Sequence, residues 1–163
     1  YRKNRMPLSW EYLKTLGPIN YKYTPTHTVV QKAEYKEFRE KVLDSYPSLA
    51  AFIKAKCFKD DPSLPYKLRK NDFPYDLERG ISHWVLWLNP DIYKTEVEVY
   101  ALGRINLILK TLLDQPFLFY VNPVSKQSVK EIPHYHVYLR EACPVGEFIS
   151  RKQAIRKKSE TIV

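Results

Sequence analysis

Two imidazoles separated by a single residue stand in Pro133-His134-Tyr135-His136-Val137-Tyr138. Side chains alternate across an extended strand, so His134, His136 and Tyr138 share one face, and Tyr135, Val137 and Leu139 the other. The two imidazoles then lie about 7 Å apart at Cα and converge on one site. That pair suits a nucleophilic histidine attacking phosphorus beside a second imidazole that holds or polarises the phosphate. It also suits two ligands of a metal ion, although no third ligand is evident in the sequence and no metal or other cofactor is expected. A half-exposed edge strand whose histidines merely meet water is the plainest alternative. Half of the four histidines in the chain fall in this segment. Of the others, His83 lies in an apolar run and reads as a core histidine, and His27 reads as a loop residue.

The elements that must position this strand follow from periodicity and punctuation. Ser9 to Leu16 reads as a short helix capped by Ser9 and stopped by Gly17-Pro18. Residues 19–31 read as a Tyr-rich loop, followed by helices over about 32–42 and 48–58, the second with Pro47 in its first turn. Lys59 to Asp76 reads as loop. His83-Trp84-Val85-Leu86-Trp87-Leu88 is apolar on both alternating faces, as in a strand at the centre of a sheet. Val97, Leu102, Ile105, Leu109 and Leu112 recur at helical spacing within 95–113. Phe117 to Val121 and His134 to Leu139 read as two further strands, separated by a polar stretch over 124–131. Helices first, then strand, long helix, strand, loop and strand, predict an α+β domain: an antiparallel sheet with helices on one side.

These segments carry a resemblance. Val121-Asn122, Gln127-Ser128-Val129 and Pro133-His134-Tyr135-His136-Val137-Tyr138 stand in an order that resembles histidine-triad (HIT) proteins. Asp72, Phe73-Pro74 and Ser82-His83-Trp84-Val85-Leu86-Trp87-Leu88 resemble a second segment of the same superfamily. Within it, Asn71-Asp72-Phe73-Pro74-Tyr75 and His83-Trp84-Val85-Leu86-Trp87 look most like a group of fungal and other eukaryotic proteins that includes an N-acetylglucosamine-induced protein. The resemblance covers residues 70–142 and implies a HIT-like antiparallel sheet with a long helix on one face, extended by helices over 1–60. It also implies a site for a nucleotide or other phosphorylated small molecule. A histidine there would attack the α-phosphate, giving a nucleotidyl-histidine that water resolves, in a hydrolase or transferase.

Carried over residue by residue, Asp72 would face ribose hydroxyls, and Asn122, Gln127 and Ser128 would lie near phosphate. The third histidine of the triad is missing, which opens two registers. In the preferred one His136 is the nucleophile, His134 its partner, and Tyr138 replaces the third histidine. In the other His134 is the nucleophile and His136 the third member. Tyr138 could donate one hydrogen bond but could not carry a positive charge at neutral pH. The missing histidine equally fits a non-catalytic binding or interaction module. Asp72 and Asn122 also have plain roles as turn residues before proline.

Hydrophobic residues make up 44% of the chain and aromatic ones 14%, with 13 tyrosines, too rich for a disordered segment. No apolar run reaches the roughly 18–20 residues that cross a bilayer, so no membrane partner is expected. Cys57 and Cys143, far apart and alone, suit a reducing compartment, hence the cytoplasm or nucleus. The net charge of +9 is concentrated at the ends, with +3 in residues 1–5 and +4 in 151–163. Nucleic acid is therefore expected to bind only through basic tails, if at all. A single domain over 1–150 with a basic tail over 151–163 is expected, and a homodimer stays open. Deleting residues 151–163 is predicted to leave the melting temperature nearly unchanged, because the segment holds few apolar residues. A drop of many degrees in a thermal melt would show instead that Ile155 and Ile162 dock on the domain.

Overall fold

Short polar side chains start each of the first three helices. The computed structural model describes residues 6–18, 27–93 and 101–141. The basic ends, Cys143 and the expected helix start at 95–100 lie outside the described residues. Ser9 Oγ accepts from the Tyr12 N–H at the start of α1 (Trp10–Thr15), and Gly17, at φ +67°, takes the left-handed turn that stops it. Thr28 and Gln31 form a reciprocal capping box on α2 (Val29–Ser45). Ser48 caps α3 (Leu49–Phe58). The second helix runs past both expected ends.

Four antiparallel strands follow in the spatial order β1-β2-β4-β3. They are β1 (Tyr66–Lys70), β2 (Ile81–Leu88), β3 (Phe117–Tyr120) and β4 (His134–Arg140). The two central strands, β2 and β4, are the apolar and histidine-bearing runs, paired from Ile81↔Arg140 to Trp87↔His134. The first strand corrects the expectation of a loop over 59–76. It is a sheet edge with Lys67, Arg69 and Lys70 around a single buried Leu68, and its charges blunt the edge against further pairing. The polar stretch before β4 holds one 3-10 turn, Val124–Lys126.

Alternation divides the sheet as expected. On one face Leu68, Leu86, Leu88, Tyr135, Val137 and Leu139 pack against Ile105, Leu109, Leu112 and Leu113, which belong to or directly follow α4 (Ala101–Leu112). The opposite face carries His83, Val85, Trp87, His134, His136 and Tyr138. There Val42, Leu49, Cys57 and Phe58 of α2 and α3 cover Val85 and Trp87, while Trp10 and Leu13 of α1 cover Tyr120 and Tyr138. Helices therefore lie on both faces, which corrects the one-sided arrangement. The cause is β2 and β4 themselves: strands apolar on both sides need cover on both sides. Leu109 is fully buried between α4 and the sheet, so Leu109→Ala should cost about 2–5 kcal/mol in urea unfolding. A loss below about 1 kcal/mol would mean that α4 does not pack as described.

Candidate functional site

The histidine face is not filled to its edges. Between β1, β2 and β4, the first turns of α2 and the 122–129 segment lies a cavity of about 350 Å³. Its inner walls are aromatic and aliphatic, from Tyr35, Phe38, Phe52, Ile53, Tyr75 and Trp87. Its rim carries Lys32, Arg69, Lys70 and Lys126 against the single carboxylate of Asp72. Lys32, Lys70, Asp72, Lys126 and Ser128 are exposed, so the cavity opens to solvent there.

His134 and His136 both line this cavity although each is buried. His134 Nδ1 lies 2.8 Å from the Ile132 carbonyl oxygen. A carbonyl only accepts, so Nδ1 carries the proton and Nε2 keeps its lone pair. The ring stacks at 4.6 Å on Trp87, which holds its orientation. His136 is held differently. Its Nδ1 is 2.8 Å from His83 Nε2, and its Nε2 is 3.3 Å from the Asn122 amide. His83, 1% exposed, accepts the Tyr75 N–H at Nδ1. Burial removes water from the charged form of each ring. It pushes His83 down to about 3, helped by His27. Burial also lowers His134, and takes His136 well down, with His83, His134 and His27 adding to the shift.

The residues singled out in the sequence come together with one exception. Asp72, Asn122, Gln127, Ser128, His134 and His136 all line the cavity. Tyr138 does not. It is buried under α1 beside Trp10 and Tyr120, where its hydroxyl and that of Tyr120 neighbour each other without forming a hydrogen bond. The Asx turn before Phe73-Pro74 belongs to Asn71, whose Oδ1 accepts the Phe73 N–H at 2.9 Å, leaving Asp72 on the rim. Gln127 Nε2 donates to the Asn122 carbonyl at 2.7 Å, which ties the loop to the end of β3.

His27 is the site residue that sequence reasoning set aside. Its Nε2 donates to the Phe73 carbonyl at 2.8 Å, and Gln31 Nε2 donates to the Pro74 carbonyl at 3.0 Å. These bonds fasten the start of α2 to the 73–74 segment and close one wall. The available signal was the capping box, which places His27 immediately ahead of a helix start. Among the described residues, no group of three or more His, Cys, Asp or Glu side chains is arranged to hold a metal ion, and no helix is long and apolar enough to cross a membrane.

A protein family described as "Protein of unknown function (DUF3605)" matches residues 9–140. The uncharacterised protein YPL067C of Saccharomyces cerevisiae is 37% identical over 91 residues, which are 47% of this chain and 44% of that relative. The match thus spans less than half of the relative's length. The crystal structure of HTC1 superposes with a TM-score of 0.64 at 20% identity, covering 94% of this chain and 96% of that one. At that identity the likeness carries the fold alone.

The histidine shifts set a stability profile. His83, His134 and His136 bind protons more weakly in the fold than the ordinary imidazole value of 6.5 allows. The unfolded chain then holds more protons, and stability rises with pH. It is complete above about 6.5 and is lost as pH falls from there toward about 3. Urea unfolding at pH 7, 6 and 5 should show a loss that steepens toward about 1 kcal/mol per pH unit per buried histidine. Stability that stays flat over that range would mean that the folded rings titrate normally.

Proposed function

The chain belongs to the DUF3605 family, and we propose that it binds a nucleotide or another phosphorylated small molecule in the cavity on the histidine face, as a HIT-like protein. The observation that carries this is the join of three chemistries in one opening. Aromatic walls suit a base or other flat apolar group. Four cationic side chains on the rim suit phosphate oxygens. On the floor, one imidazole lone pair is free. The placement of a long helix on the face opposite the histidines supports the HIT-like arrangement. Cys57, a free thiol buried on α3, supports residence in a reducing compartment, the cytoplasm or nucleus.

In the catalytic form of this reading, His134 Nε2 attacks phosphorus. An N–P bond forms as the P–O bond to the leaving group breaks, and the Ile132 carbonyl stabilises the cationic ring through Nδ1–H. Water then cleaves the N–P bond. His134 rather than His136 is the nucleophile here, because only His134 presents a free lone pair to the cavity. A second reading, a binding module without turnover, is favoured by one observation. With His134 as nucleophile the missing member of the triad is the first, and its place is taken by Ile132, a 2% exposed apolar side chain that offers the ligand nothing.

A thermal-shift screen separates these. Nucleoside mono- and diphosphates, dinucleoside polyphosphates and nucleotide sugars should raise the melting temperature. A ligand at about 100 times its dissociation constant adds about 2.7 kcal/mol. If none does, the phosphorylated-ligand reading fails. Where a ligand also turns over, His134→Ala should lower turnover by on the order of 10² or more while retaining a thermal shift. Unchanged turnover would remove His134 from the mechanism.

A further inference from the structure

Three hydrogen bonds beneath the cavity have a direction that their donors dictate. The Tyr75 backbone N–H can only donate, and it lies 3.1 Å from His83 Nδ1. His83 Nδ1 therefore bears no proton, and a neutral ring carries its one hydrogen on Nε2. That hydrogen points at His136 Nδ1, 2.8 Å away, which must accept. The hydrogen of His136 is then forced onto Nε2, facing the Asn122 amide at 3.3 Å. With Asn122 Nδ2 turned toward it, two donors would meet, while Oδ1 would be left buried without a partner. A half-turn of the amide ends the clash, because Oδ1 then accepts from His136 while Nδ2 takes the place that Oδ1 held. The Tyr75 hydroxyl is a neighbour of Asn122 and of Tyr120.

We propose that His83 is a positioning residue that makes His136 a fixed Nε2–H donor and thereby fixes which way the Asn122 amide stands at the cavity wall. The line runs from the Tyr75 backbone through His83 and His136 to Asn122, with every proton pointing the same way. It joins residues 53 positions apart in sequence and involves a ring, His83, that does not touch the cavity. His136 has no free lone pair in this arrangement. It holds Asn122 and does not attack, which turns the preferred register of the sequence motif around. The ligand side of the inference rests on the phosphorylated-ligand reading, since Asn122 lines the cavity that reading fills. The proton positions do not rest on it.

Long-range proton–nitrogen NMR of the imidazole rings in the full chain tests the line without any ligand. At neutral pH, His83 and His136 should each show a protonated Nε2 and a bare Nδ1, and His134 the opposite pattern. A His136 ring protonated on Nδ1, or on both nitrogens, overturns the proposal. Two substitutions test positioning. His83→Gln keeps an acceptor for Tyr75 and a donor for His136, so the His136 pattern should persist. His83→Leu removes both, and His136 should shift to a mixture of tautomers. With AMP as the probe, His83→Leu should weaken binding by about tenfold or more and His83→Gln by much less. Equal affinity in the two variants overturns the positioning role. If His83→Leu does not fold, the spectra of the unaltered protein and of His83→Gln still decide. If AMP fails to bind at all while the tautomers are as stated, the proton line stands, and the ligand reading and the part of His83 in binding fall.

Discussion

The register between β2 and β4 decides what the molecule can do. Side chains alternate with a period of two, so a slip of one residue in either strand would carry its whole set to the other face. His134 and His136 would then enter the leucine-rich layer beneath α4, where no polar partner awaits them, and Tyr135, Val137 and Leu139 would be left to line the cavity. The register as built pairs His83 with Tyr138, Val85 with His136 and Trp87 with His134. Each imidazole thus meets the neighbour that holds it: His83 for His136, and Trp87 for His134.

Much of this scaffold was legible in the sequence. Ser9 and Gly17 marked helix ends through local chemistry, which single sequences carry well. The alternation in His134–Leu139 assigned both faces of that strand, because the apolar and polar sets differ so sharply. The edge strand β1 was missed because an edge needs little apolar content, and Lys67, Arg69 and Lys70 read as loop. The helices on both faces were missed because a pattern of elements does not say which face each helix covers.

The candidate site divides in the same way. Asp72, Asn122, Gln127, Ser128 and the two strand histidines were found by type and order, and they share one cavity. His27 and the partnership of His83 with His136 were not foreseen. Both depend on contacts over 46 and 53 residues, and no local pattern encodes these. The electrostatic division also needed the structure. The buried rings on the floor hold protons weakly, so attraction for an anion comes from the solvated lysines and arginine at the rim. In the proposed reading affinity and chemistry fall to different residues, and salt would act mainly on the first.

The cavity draws its walls from one end of the chain and its floor from the other. During synthesis α2 leaves the ribosome long before β4 exists. At ordinary rates of elongation, the 95 residues separating Ser45 from Arg140 take on the order of 5–20 s to appear. For that interval Val42, Leu49 and Phe58 have at most Val85 and Trp87 of β2 to settle on, while Val129 and Ile132 of the same layer are still to come. A nascent chain therefore holds this apolar layer only partly covered, until β4 arrives and completes the floor of the pocket.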